Sequence, residues 1–185
     1  MDTKRDLLEI ETALARHDKF NFTKNIVAFN VKGISENLPI YHECDMLVLS
    51  KSGYLTEIEI KRSWSDFLAD FKKKHNHNNY PIIKYFYYCV PLSIYEKVRD
   101  KLEERYNSRT GNDTFNYTGI ITYDEDLNFV INGHRFQVFY TDEMKETYPQ
   151  MLGAKKLYLE QQLELARLGA MRAVTLKENI IKLKK

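Results

Sequence analysis

The chain has 185 residues, 43% hydrophobic and 13% aromatic, enough for one domain with a substantial core and too few for two comfortable ones. Its 28 Lys and Arg nearly balance 26 Asp and Glu, leaving a net charge of +2, so bulk charge steers it towards no polyanion and any preference must come from local clustering. Two cysteines exclude a disulfide framework or zinc ribbon. The charged, amphipathic start and the lack of any run of about 18 apolar residues argue against a leader or a membrane span, so the expectation is a soluble, cytoplasmic protein.

Residues 3–17 predict a helix: Thr3 can cap it, Asp6 occupies the capping-box position, and Leu7, Ile10 and Leu14 follow helical spacing. IVAFNV (26–31) predicts a strand. ECDMLVLS (43–50) and YLTEIEIK (54–61) predict two more, joined by a tight turn at Gly53. SWSDFLADFKKKH opens with Ser63 and Asp66 at capping-box spacing and carries Trp64, Phe67, Leu68 and Phe71 on one face, which predicts a second helix. KYFYYCV (84–90) predicts an aromatic strand ended by Pro91, and Ser93 with Glu96 can cap a third helix. After the polar loop RYNSRTGNDT, three short strands are expected at YTGIITY, LNFVI and RFQVFY. Beyond Pro149 the pattern is helical to the end, interrupted at Gly169. The order predicts an α/β fold with a central mixed β-sheet flanked by helices and a long C-terminal helical tail. The tail, 149–185, carries Leu157, Leu159, Leu163, Leu165 and Leu168, and can either pack on the domain formed by 1–148 or mediate homo-oligomerisation. Cys44 and Cys89 sit inside apolar runs and read as buried thiols.

The stretch TEIEIKRS (56–63) carries the chemistry. Alternation puts Ile58 and Ile60 on one face and Glu57, Glu59 and Lys61 on the other. A solvated edge strand would explain this; so would a metal site. Pairing across the Gly53 turn can bring Asp45 beside Glu59 and Lys61. Two carboxylates held close repel unless a cation lies between them, and a hard ion such as Mg²⁺, or Mn²⁺ in its place, prefers such oxygen ligands. Lys61 could then orient a water or stabilise charge developing on a phosphate.

CDMLVLSKSGYLTEIEIKRS resembles the core of the PD-(D/E)xK nuclease superfamily: an acid in one strand, a turn, E-x-K in the next, then a helix. The following Asp66, Phe67, Asp70 and Lys72, with KYFYYCVP and GIITYDEDLNFVI, are similar to its MmcB-like DNA-repair branch. The resemblance runs from the first helix to the strand near Ile121 and implies a restriction-endonuclease-like αβββαβ core. It implies metal binding by Asp45, Glu59 and the Ile60 carbonyl, with Lys61 positioning the nucleophilic water. It departs from the superfamily in having Cys44, not Pro, before the Asp. The implied activity is divalent-metal-dependent hydrolysis of DNA phosphodiester bonds in repair, phage or restriction-related processing. The alternative is an inactive nucleic-acid-binding or scaffolding protein with the same fold.

Lys72, Lys73, Lys74 and His75 could contact DNA phosphates, or could simply complement the C-terminal dipole of the second helix. The letters HNH at 75–77 lack the ββα context of that nuclease class. Tyr85, Phe86, Tyr87 and Tyr88 read as core rather than as base-stacking platforms. Glu11, by helix geometry, falls among Leu7, Leu8, Leu14 and Ala15 on the apolar face, whereas Glu9 faces solvent. Either Glu11 snorkels at the rim, or, as the resemblance implies for a first-helix acid, it is a third metal ligand, direct or through water.

Overall fold

The computed structural model describes residues 5–34, 37–70, 81–107, 118–132 and 153–184. Its elements are α1 (Leu7–Arg16), β1 (Ile26–Ile34), β2 (Pro39–Leu49), β3 (Leu55–Ile60), α2 (Trp64–Asp70), β4 (Ile83–Pro91), a 3₁₀ turn (Leu92–Ile94), α3 (Tyr95–Asn107), β5 (Thr118–Tyr123), β6 (Phe129–Asn132) and α4 (Leu159–Leu183). The six strands form one mixed sheet in the order β1-β2-β3-β4-β5-β6. The β1–β2, β2–β3 and β5–β6 pairs are antiparallel; β3–β4 and β4–β5 are parallel, because helical crossovers connect them.

Helix α1 begins one turn later than the Thr3 cap predicts, and Thr3 lies outside the described residues. Asp6 caps it instead: its carboxylate accepts from Leu8 N–H, and Glu9 reaches back to the Asp6 N–H, satisfying orphan donors of the first turn. Its inward stripe of Ile10, Leu14 and Ala15 packs over Met46, Val48, Ile58, Ile60, Tyr87 and Cys89, which form one face of the sheet. On the other face α2 and α3 cover Phe86, Tyr88, Val90 and Ile120, while α4 covers Ala28, Leu47 and Leu49.

Two expectations are corrected here. Gly169 does not interrupt α4, which runs unbroken through it. A Cβ at Gly169 would stand 3.3 Å from the Ala28 Cβ and 3.5 Å from the Val27 carbonyl oxygen, so the missing side chain lets the helix lie close on β1 rather than ending it. The third helix is not capped by Ser93 either: the 3₁₀ turn carries the chain from β4 into α3 at Tyr95. RFQVFY and the basic run Lys72, Lys73, Lys74 and His75 lie outside the described residues. No described helix is long and apolar enough to cross a membrane.

The alternation along β1 and β2 reverses at one place. Ala28 and Val31 share a layer although three positions apart, and so do Cys44 and Leu47. Between them lie Asn30, with φ of 49°, and Asp45, a position the ladder skips as it pairs Phe29 with Met46 and Val31 with Cys44. This kink re-aims the outer half of β2.

Candidate active site

β3 is a central strand, third of six, and all six of its residues are buried, so a solvated edge cannot explain the charges of TEIEIK. Glu57, Glu59 and Lys61 are buried on the sheet face covered by α2, α3 and α4, where each ion needs a partner. Ile58 and Ile60 fill the opposite face against α1, as alternation predicts.

The β2–β3 ladder runs from Leu49–Leu55 to Met46–Ile58 and stops. Beyond that pair Asp45 bridges the strands with its side chain: Oδ2 accepts from the Ile60 N–H at 2.8 Å. Lys61 turns its ammonium back onto Glu59 Oε1 at 2.6 Å and onto Asp70 Oδ1 of α2 at 3.2 Å, and Asp70 Oδ2 accepts from the Tyr88 hydroxyl at 2.9 Å. Burial pulls the Lys61 pKa down, but Glu59, Asp70 and, more remotely, Asp45 outweigh it and hold the amine above its ordinary value. Lys61 is therefore a firm ammonium here, fitted to orient an oxygen or to stabilise negative charge. Glu59, Asp70 and Asp45 thus all act on the buried ammonium of Lys61.

Glu11 is buried on α1, as its place in the apolar stripe predicts, and Glu9 is exposed. Asn30, turned inward at the kink, donates its Nδ2 to Glu11 Oε1 at 2.9 Å. Burial raises the Glu11 pKa; the Asn30 hydrogen bond counters this, and repulsion from Asp45 adds to it. Glu11 thus lies within electrostatic reach of Asp45. Among the described residues, however, Glu11, Asp45 and Glu59 do not form a trio of donors within 4.8 Å of one another. A cavity of about 610 Å³ between α1, β1 and α4 opens beside Glu11, with Arg16 and Arg172 in its wall.

A second polar group, which the sequence reading did not single out, lies on the same strands. His42 Nε2 is 2.6 Å from Glu57 Oε1 and 3.3 Å from Cys44 Sγ, all three fully inside the layer under α4. Burial, reinforced by Glu57, Glu59 and Asp45, pushes the Cys44 thiol well above its usual pKa; Cys89 is also raised by burial. The signal in the sequence was H-x-C within a strand, two donors on one face, with an acid beyond the turn. Asp70 was visible only as part of a motif, with no role. Glu43 is exposed and pairs with Arg172 of α4 at 2.9 Å, tying that helix to β2. Phe86, Tyr87 and Tyr88 are core.

The donors on offer at Asp45, Glu59 and the Ile60 carbonyl are all oxygen, two of them carboxylates, the kind of donor a hard divalent cation prefers. The residues therefore fit Mg²⁺ or Mn²⁺.

No protein-family model matches the chain, and no curated protein matches it in sequence. Among solved structures it is similar to a protein of unknown function from Silicibacter pomeroyi, with a TM-score of 0.51 at 15% identity over 95% of this chain and 90% of that one. That likeness concerns the fold alone.

Proposed function

We propose that the protein is a divalent-metal-dependent DNA nuclease with a restriction-endonuclease-like core of the PD-(D/E)xK type. The observation that supports the reading is the convergence at the end of the β2–β3 ladder: Asp45 holds the Ile60 N–H, and Glu59 and Asp70 both hold the Lys61 ammonium in a buried setting. The carboxylates of Asp45 and Glu59, with the Ile60 carbonyl, would hold Mg²⁺ or Mn²⁺, and Glu11 would join through a water. Bound there, the cation supplies Lewis-acid polarisation of the scissile phosphate and a more acidic water.

The chain's own groups do the rest. Asp45 is fixed by the Ile60 N–H, so its second oxygen has a set direction. Asp70, itself fixed by Tyr88, holds the Lys61 ammonium together with Glu59, and the ammonium would orient the attacking water or the phosphate oxygen. The kink at Asn30 holds Glu11, on the α1 side of the sheet, within electrostatic reach of Asp45. Lys72, Lys73, Lys74 and His75 would contact phosphates on the approaching strand. DNA is the expected partner, and repair, phage or restriction-related processing the expected setting.

The test is cleavage of single-stranded, duplex and branched DNA by the purified chain with Mg²⁺, Mn²⁺ or EDTA. Cleavage of at least one substrate with metal and none with EDTA is expected; binding without cleavage on all of them would favour the scaffolding alternative.

A further inference from the structure

The group on the helix-covered face two residues along β3 from Glu59 is chemically unlike the acid cluster. His42 Nε2, Cys44 Sγ and Glu57 Oε1 offer one nitrogen, one sulfur and one oxygen, all within 4.8 Å of one another and all buried. They are surrounded by aliphatic side chains, Ile40, Leu47, Leu49 and Leu55 among them. A carboxylate and an imidazole in such a layer would suffice as an ion pair; here a thiol, itself hydrogen-bonded to Glu57, is set beside them. Yet Cys44 Sγ and Glu57 Oε1 converge on the same imidazole nitrogen, which has a single in-plane direction to offer.

We propose that His42, Cys44 and Glu57 form a structural site for Zn²⁺ or a similar borderline-soft divalent ion, separate from the acid cluster around Asp45. The donor set is of the kind that selects zinc over magnesium. Tetrahedral bonds of ordinary zinc length would set nitrogen and oxygen about 3.4 Å apart and nitrogen and sulfur about 3.5 Å apart. The present nitrogen–sulfur separation of 3.3 Å is close to that arrangement, and the nitrogen–oxygen separation of 2.6 Å would open by about 0.8 Å to reach it. On binding, the metal takes the place of the hydrogen bonds centred on Nε2, the Cys44 thiol proton leaves to solvent, and Glu57 can close the shell with its second oxygen. The site would join the outer half of β2 to β3 where the backbone ladder has ended, next to Asp45.

The experiment is cobalt substitution of the full chain. Protein stripped with a chelator and given one equivalent of Co²⁺ should develop a thiolate-to-cobalt charge-transfer band in the near ultraviolet, with one ion per chain, and Zn²⁺ should displace it. Cys44→Ser should abolish the band and Cys89→Ser should keep it. Glu57→Gln should weaken Zn²⁺ binding at least about 10-fold in competition with a chromogenic chelator, since loss of even an outer-shell partner costs that much. Asp45→Asn with Glu59→Gln should keep the band. Absence of the band in the wild-type chain overturns the proposal, whatever the variants do. So does a band lost in the Asp45→Asn, Glu59→Gln chain but retained in Cys44→Ser, which would place the metal in the acid cluster.

Discussion

Replacing Lys61 with Met keeps most of the stem volume and deletes the charge that two buried carboxylates share. Glu59 Oε1 lies 2.6 Å from the ammonium and Asp70 Oδ1 3.2 Å, and both side chains are at most 3% exposed, so solvent cannot take the lysine's place. Breaking a buried pair by removing one partner costs about 3–5 kcal/mol, chiefly because the other charge is left in low dielectric. Asp70 retains the Tyr88 hydroxyl, so the larger share falls on Glu59. At roughly 2–4 °C per kcal/mol for a chain of this size, the melting temperature should fall by about 6–20 °C, read by circular dichroism without divalent ions. Adding Glu59→Gln to Lys61→Met should recover part of the loss, since it removes the stranded charge; non-additivity of that sign is the signature of direct coupling. Adding Mg²⁺ should also restore stability to Lys61→Met. A single variant within about 1 kcal/mol of wild type, or strictly additive losses in the pair, would refute the reasoning.

Tyr88→Phe removes the hydroxyl that donates to Asp70 and should cost about 1.5–3 kcal/mol, the range for a hydrogen bond to a charged group, in urea titrations. Gly169→Leu should force α4 off β1, because even a Cβ would meet Ala28 at 3.3 Å; overpacking of about 1–3 kcal/mol should appear as a lower melting temperature, with Gly169→Ala the milder change. Millimolar Mg²⁺ should raise the wild-type melting temperature, by the equivalent of about 2.7 kcal/mol at 100 times its Kd, and should act more weakly on Asp45→Asn; equal shifts in both proteins would remove Asp45 from the metal site.

Much of the sheet was legible because alternation and turn chemistry are local. Ile58 and Ile60 announce their face, Gly53 with φ of 84° makes the turn, and the aromatic run at 85–88 reads as core. The position of Glu11 was legible too, since helical periodicity fixes a face from sequence spacing alone. What local pattern could not supply was the kink. IVAFNV reads as an uninterrupted strand although Asn30, a residue type that tolerates positive φ, adopts one, and without that reversal Cys44 would share a face with Met46, not with Leu47. The His42, Cys44 and Glu57 group exists only because of it. Lys61 was expected to meet Glu59, two positions away on the same face; its second partner, Asp70, depends on where α2 docks, a tertiary fact. Gly169 misled for a related reason: low helix propensity predicts a break, whereas close packing against Ala28 gives glycine a use inside a helix.

Single-turnover cleavage of end-labelled DNA decides whether Asp45, Glu59 and Lys61 carry out metal-dependent cleavage, as proposed. With Mg²⁺ the wild-type chain should cut; Asp45→Asn and Glu59→Gln should lose metal-dependent cleavage while keeping their circular-dichroism spectra, and Lys61→Ala should slow the chemical step more than it weakens DNA binding. Unchanged cleavage in Asp45→Asn or Glu59→Gln, or wild-type cleavage that persists in EDTA, would contradict the assignment.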